Sequence, residues 1–277
     1  MKQSGSRGAA GQEDQPGLRR SVFRPAELLL ASASPRRREL LGLLGQPFRA
    51  VANDGEERDH SPPPAIVAAL PACPVPLATH PTLLAWRKAD AACAESPDSV
   101  IIGADTIVVL DGDVLGKPRD TTHARTMLRR LSGRTHTVYT GLAVMGLGIR
   151  DAGLGTAHLS DTQYPVPSTQ YPLRNTQLDL VASDVVIADL TDAEIEAYVA
   201  TGEPMDKAGA YGIQGLGGRL VRSVAGSYTC VVGLPLVAIH RLLSVAGYTQ
   251  LTDPTEAYMR WLDSQGKEPL SCPPTFP

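Results

Sequence analysis

The segment Leu28-Leu29-Leu30-Ala31-Ser32-Ala33-Ser34-Pro35-Arg36-Arg37-Arg38-Glu39-Leu40-Leu41-Gly42-Leu43-Leu44-Gly45 changes character within a few residues. Its first four residues form a short continuous apolar run, the pattern of a buried strand. Leu40, Leu41, Leu43 and Leu44 then cluster on one helical face. Ser34 stands as an N-cap before an N1 proline, and Gly45 stops the helix. A strand that feeds directly into a helix is a building unit of α/β sheets.

The alternation continues in both directions along the chain. Leu83, Leu84, Trp86, Ala89, Ala92 and Cys93 give a helical pattern from Thr82 to Ala94, and Val100 to Gly103 reads as a buried strand. Thr106 to Leu110, the pair Asp111-Gly112 and then Val114-Leu115 predict a hairpin with a D-G turn. A helix opens at Asp120 or Thr121 and runs through Leu131, and strands follow over Thr135 to Met145 and Leu178 to Ile187. Thr191-Asp192-Ala193-Glu194 spells a capping box for a helix to about Ala200. A strand from Arg219 to Val224 and a helix from Leu234 to Val245 close the pattern. The fold class expected is α/β with a mixed sheet.

Three regions interrupt it. Residues 1–25 are polar and read as a disordered leader. Seven of the 23 prolines fall between Pro62 and Pro81, which excludes a regular helix or a central strand there. That stretch (about 60–82) reads as a loop insertion, and Gly146 to Gln177, rich in Gly, Pro, Ser, Thr and Tyr, as a second one at the periphery. The domain is expected over 26–248, followed by a tail over 249–277 whose Pro-rich end, from about Asp253, is expected to be partly disordered.

Composition narrows the function. With 277 residues the chain can bury a large core without metal or disulfide staples. A net charge of −3 argues against a nucleic-acid partner or an anionic membrane surface, though not against a small anionic ligand held by a few local cations. Cys73, Cys93, Cys230 and Cys272 are far apart, which implies neither a zinc site nor a disulfide framework and suits a cytoplasmic setting. Neither a secretory h-region nor an apolar run of membrane-spanning length occurs, so no membrane association is expected.

Phosphate-loop, nucleophile-elbow, H-E-x-x-H and dinucleotide signatures are absent, which leaves Asp, Glu, Lys and Arg to carry any chemistry. Four places stand out. Ser32, Ser34, Arg36 and Arg37 surround a helix N-terminus, where hydroxyls, guanidinium forks and free backbone N–H groups suit a polyphosphate. The same residues also read as a helix start with solvated arginines. Asp105, in Gly103-Ala104-Asp105-Thr106, follows a buried strand, as a general base or metal ligand would, or as a plain turn residue would. Lys117 sits in Leu115-Gly116-Lys117-Pro118, a stiffened loop that could aim it at a phosphate or leave it in solvent. Met205 to Gly215 carries Asp206, Lys207, Tyr211 and Gln214 among small residues, and the Gln214 amide could read a base edge. A Gly-rich connector with a buried salt bridge fits the same residues.

Taken in order, the motifs resemble the Maf family, the septum-formation-inhibitor-like nucleoside triphosphate pyrophosphatases. The matching stretches are L-L-L-A-S-A-S-P-R-R-R-E-L-L from Leu28, I-I-G-A-D-T-I-V-V-L-D-G-D-V-L-G-K-P-R-D from Ile101 and L-S-G-R-T-H-T-V-Y-T from Leu131. E-P-M-D-K-A-G-A-Y-G-I-Q-G-L-G-G from Glu203 and V-V-G-L-P-L from Val231 complete them. They cover roughly Glu27 to Val245 outside the two insertions.

The resemblance implies a two-lobed mixed-sheet fold around a central cleft, similar to inosine triphosphate pyrophosphatase. It implies hydrolysis of a nucleoside triphosphate to the monophosphate and pyrophosphate with a divalent cation, Mg²⁺ or Mn²⁺. P-R-R, G-A-D-T and G-I-Q-G, here at Arg36, Thr106 and Gln214, are similar to the branch that takes dTTP, UTP and modified pyrimidine nucleotides, a house-cleaning role. The sister branch for 7-methyl-GTP carries different residues at these places. By the same resemblance Asp105 is the general base, and Arg37, Lys88 and Lys117 neutralise the leaving pyrophosphate. Ser32, Ser34 and Lys207 join the substrate-binding set, and Glu57 joins Asp105 as a metal ligand. The Pro-rich insertion between Glu57 and Lys88 departs from the family's short connection. Related proteins are often dimers, so a homodimer is expected, although the sequence marks no interface. The competing reading is a non-catalytic nucleotide-binding regulator of cell division.

Overall fold

The computed structural model describes residues 26–52, 61–146 and 175–266. Glu57, the leader, most of the second insertion and the last residues of the tail lie outside the described residues. Among the described residues, seven strands form one mixed sheet in the order β2-β1-β3-β5-β6-β7, with β4 beside β3. The strands are β1 (Leu28–Ala31), β2 (Arg49–Val51), β3 (Val100–Leu110), β4 (Asp113–Leu115), β5 (Thr135–Gly146), β6 (Asn175–Ile187) and β7 (Val221–Gly226). β1 runs parallel to β2 and β3, and every other pairing is antiparallel.

All four residues of β1 are buried because the sheet is covered on both faces. Leu28 and Leu30 belong to one apolar cluster and Leu29 and Ala31 to the other. Burial of each leucine contributes about 2 kcal/mol before the entropic cost of ordering it. The smaller cluster packs beneath α3 (Pro81–Glu95) through Leu83, Trp86, Ala89 and Ala92. The larger collects α1 (Pro35–Gly42), α4 (Thr121–Leu131), α5 (Asp192–Ala200) and α7 (Leu236–Val245).

The local signals act as their chemistry requires. Ser34 caps α1 by accepting from the Arg37 N–H, Asp120 caps α4, and Thr191 with Glu194 closes a complete capping box on α5. Asp111 and Gly112 take φ values of 54° and 85°, the left-handed pair of a tight hairpin between β3 and β4.

Three expectations need correction. Within the Pro-rich stretch the chain forms the short helix α2 (Pro64–Ala68) and a 3-10 turn at Leu77–Thr79. Pro64 occupies the first helical turn, where a missing N–H costs nothing, and no proline follows until the helix has ended. The tail begins with an ordered helix, α8 (Pro254–Ser264), whose Trp261 is buried and donates to Glu39 of α1 at 2.6 Å. A five-residue helix, α6 (Tyr228–Val232), lies between β7 and α7, where the sequence pattern assigned no element.

The third correction concerns Asp105, which stands inside β3 rather than after it. β3 stays paired with β5 from Ile101 through Val109. Along its other edge it pairs with β1 only as far as Gly103, and with β4 only from Val108. Between these two neighbours β3 has a gap in its edge, and Asp105 and Thr106 stand in it.

Candidate active site

That gap opens into a cleft of about 940 Å³. One wall is the β1–α1 turn with Ser32, Ser34, Arg36 and Arg37, and the floor is Asp105 and Thr106. Lys88 enters from α3 and Lys117 from the loop after β4. The opposite wall holds Lys207 and Gln214, together with Glu203, Asp206 and Tyr211. Ten of the sequence-predicted site residues therefore meet in one cavity, and Glu57 lies outside the described residues.

Two glycines explain how Lys88 reaches Asp105. A Cβ on Gly103 would lie 2.0 Å from the Ala85 carbonyl oxygen, and one on Gly141 would lie 2.2 Å from the Thr82 nitrogen. Gly141 faces Asp105 across the β3–β5 ladder. With bare backbone at both places, α3 rests directly on the sheet. Lys88 is only 8% exposed, and its ammonium donates to Asp105 Oδ1 at 2.8 Å and to the Ala104 carbonyl at 3.3 Å.

Arg37 is fixed by three acceptors. Its Nε donates to the Gly233 carbonyl at 2.9 Å, Nη1 to Ser32 Oγ at 3.3 Å and Nη2 to Thr106 Oγ1 at 3.1 Å. Thr140 Oγ1 donates to the Cys230 carbonyl, so Thr106 donates to Thr140 at 2.9 Å and uses its lone pairs on Arg37. Gly233 takes a φ of 118°, and a side chain there would crowd Thr106 and Arg37. The guanidinium is thus pre-set by a relay that ends in the V-V-G-L-P-L segment.

Ser32 and Ser34 use their hydroxyl oxygens as acceptors within the turn: Ser32 Oγ accepts from the Ser34 N–H at 3.2 Å as well as from Arg37, and Ser34 caps α1. Across the cleft, Arg36 reaches Asp206 at 3.8 Å. Asp206 also accepts from Lys207. Burial works against the Asp206 charge, but Lys207 and then Arg36 more than offset it and hold its carboxyl below the usual range.

Sequence reasoning missed Glu203, Glu39 and Gln265 as lining residues, and Gly233 as the anchor of Arg37. The glycine spacing in G-I-Q-G-L-G-G does mark a crowded loop, but its contact with Glu203 is non-local. Among the described residues no group of three or more His, Cys, Asp or Glu side chains is placed to hold a metal ion. A Mg²⁺ ion, however, is held by one or two carboxylates plus substrate phosphates, and Asp105, a carboxylate on the floor of a cleft that also carries five Lys and Arg side chains for those phosphates, fits that donor set. No helix of the described residues is long and apolar enough to cross a membrane.

Residues 27–246 match the family model described as Maf-like protein. This chain belongs to the Maf-like family. It is 46% identical over 218 residues to the dTTP/UTP pyrophosphatase of Yersinia pestis biovar Antiqua, covering 78% of this chain and 91% of that one. The dTTP/UTP pyrophosphatase of Moorella thermoacetica is 44% identical over 224 residues, 80% of this chain and 96% of its own. That of Escherichia coli O157:H7 is 44% identical over 218 residues, 78% and 91% respectively. The family segment holds every predicted cleft residue, whereas α8 lies beyond it.

Proposed function

We propose that this Maf-like chain hydrolyses pyrimidine nucleoside triphosphates, dTTP and UTP with their modified forms, to the monophosphate and pyrophosphate. The observation that carries the reading is the Lys88–Asp105 pair on the floor of a cleft walled by the pre-set Arg37. The relatives named for this activity support the substrate class.

In this reading Asp105 orients a water against the α-phosphorus and takes its proton. Lys88 fixes one carboxylate oxygen so that the base points the same way in every turnover. The bond between the α-phosphorus and the bridging oxygen breaks, and pyrophosphate leaves. Arg37, Lys88 and Lys117 neutralise the charge that develops on it, and Arg36 and Lys207 add to the cationic wall. Ser32, Ser34 and Thr106 act mainly by holding the turn and Arg37. Gln214 reads the pyrimidine edge. Asp105, with Glu57, would hold Mg²⁺ or Mn²⁺, which supplies positive charge to phosphate oxygens and makes water a better nucleophile.

The setting proposed is the cytoplasm, with free nucleotides as partners and neither nucleic acid nor membrane. Free thiols at Cys73, Cys93 and Cys230 and the net charge of −3 support it. A homodimer is part of the proposal, to be tested by sedimentation. The deciding experiment is pyrophosphate release from dTTP, UTP, CTP, GTP and 7-methyl-GTP with Mg²⁺, wild type beside Asp105→Asn. Release from dTTP and UTP that is lost in the variant supports the reading. Binding without turnover of any nucleotide overturns it in favour of a non-catalytic regulator.

A further inference from the structure

The loop that carries Gln214 is built around a single carboxylate. Glu203 begins a 3-10 turn over Glu203–Asp206, and its side chain turns back under the chain that follows. Glu203 Oε1 accepts from the Tyr198 hydroxyl at 3.0 Å and from the Gly217 N–H at 3.0 Å. Its Oε2 accepts from the Leu216 N–H at 2.9 Å. The Tyr198 hydroxyl in turn accepts from the Gly212 N–H at 3.0 Å. The backbone is therefore gripped on both sides of Ile213-Gln214-Gly215, while Tyr228 donates to the Ile213 carbonyl at 3.2 Å.

The glycines are the spaces this grip requires. A Cβ on Gly215 would lie 2.5 Å from Glu203 Oε2, and one on Gly217 would lie 2.5 Å from the Tyr198 oxygen. Burial opposes the Glu203 charge, but the N–H groups of Gly217 and Leu216, the Tyr198 hydroxyl and nearby Lys207 together hold its carboxyl below the usual range. Burial pushes the Tyr198 phenol well up, so it keeps the proton it donates to Glu203. The loop is thus clamped by a charged acceptor and a protonated donor, the stronger class of hydrogen bond.

We propose that Glu203 and Tyr198 are positioning residues for base selection: they fix the backbone from which the Gln214 amide meets the pyrimidine. The proposal rests on the pyrimidine reading above. Uracil and cytosine exchange a donor and an acceptor along the edge an amide would read, and an amide can match either by turning over. A clamped loop favours one orientation. A loosened one admits both, so discrimination is lost before turnover is.

The experiment measures kcat and KM for UTP and CTP in wild type, Glu203→Gln, Tyr198→Phe, Gly215→Ala and Gln214→Ala, with thermal melts of each. Glutamine at 203 sets an amide N–H₂ against a backbone N–H and breaks the clamp without changing size. Glu203→Gln is expected to lower the UTP-over-CTP ratio of kcat/KM by roughly tenfold, mainly through a fall in KM for CTP. Tyr198→Phe should move the ratio the same way and less. Gly215→Ala, which keeps both clamp residues but drives a Cβ into the carboxylate, should reproduce the effect and carries the test if Glu203→Gln does not fold. A Gln214→Ala variant that loses the preference while all three clamp variants keep it overturns the positioning role alone. A Gln214→Ala variant that keeps the preference overturns the reading of Gln214 as the base contact, and the clamp's role with it.

Discussion

Lys88 and Asp105 are 17 positions apart on different elements, yet their charged atoms meet at 2.8 Å with side chains only 10% and 13% exposed. A pair so far out of water is held by geometry on every side. If the ammonium both aims the carboxylate and faces developing phosphate charge, its removal costs more than a surface charge would. Lys88→Met is expected to lower kcat by roughly 10²- to 10³-fold, the range for loss of one pre-set donor. Lys88→Arg should recover little, because a planar fork does not fit a slot shaped for a compact ammonium. Pyrophosphate release at saturating UTP checks both, and a Lys88→Met enzyme within a few-fold of wild type would remove Lys88 from the mechanism.

The approach of α3 that creates this pair gives a contrast between two glycines. Gly103→Ala puts a methyl 2.0 Å from the Ala85 carbonyl oxygen, so the helix must lift from the sheet. The expected loss is about 1–3 kcal/mol or more, and turnover should fall as Lys88 leaves Asp105. Gly42 ends α1, and a Cβ added there would meet nothing within 4 Å, so Gly42→Ala should gain up to about 1 kcal/mol. Urea denaturation of both variants reads the two signs directly. Equal stabilities would mean that α3 does not rest on bare backbone at Gly103.

These contacts show which parts of the molecule were legible in the sequence. Ser34-Pro35, Asp111-Gly112 and the Thr191–Glu194 box act on their own neighbours, so local chemistry was enough to place them. Nine of the ten cleft residues could be named because they stand in the motifs, and Lys88 through the family resemblance alone, but their neighbours could not. Asp105 read as lying past a strand because Gly103 looked like its end. What ends there is β1, the partner strand, and no local pattern reports where a partner stops. Glu203 was passed over for the same reason: the backbone donors it accepts from are Leu216 and Gly217, 13 and 14 residues away. The prolines after Asp253 suggested partial disorder, while α8 is held by non-local contacts: Ala257, Trp261 and Leu262 are buried, and Trp261 donates to Glu39.

That tryptophan links α8 to the cleft. Trp261 is 3% exposed, stacks with Tyr258 at a centroid distance of 6.1 Å, lies 6.0 Å from Tyr228, and donates to Glu39, which lines the cleft on α1. Trp261→Ala is expected to destabilise the fold by about 3–5 kcal/mol. Trp261→Phe keeps most of the contact surface and loses one hydrogen bond, a cost of about 1 kcal/mol. Chain truncation before Pro254 should match the alanine variant in a thermal melt. A truncated chain that melts with wild type would show that α8 adds nothing to the family segment.

His136 gives the fold a pH dependence with a definite sign. It is 2% exposed, its Nε2 shares a hydrogen bond with the Tyr211 hydroxyl at 2.7 Å, and its Nδ1 has no partner among the described residues. Burial lowers its pKa to about 4, with Asp184 pulling weakly the other way. The unfolded chain takes up that proton near pH 6.5, whereas the folded one resists until about pH 4. Between those values the unfolded state holds more protons, so stability is complete above pH 6.5 and drains away as pH falls towards 4, by up to about 3 kcal/mol. Denaturation midpoints at pH 7, 6 and 5 should therefore fall more steeply in wild type than in His136→Phe. Every other titrating group is common to both chains, so the difference in slope belongs to His136. Parallel slopes would mean that the imidazole reaches water in the folded state, and the cleft wall at Tyr211 would then be open at its back.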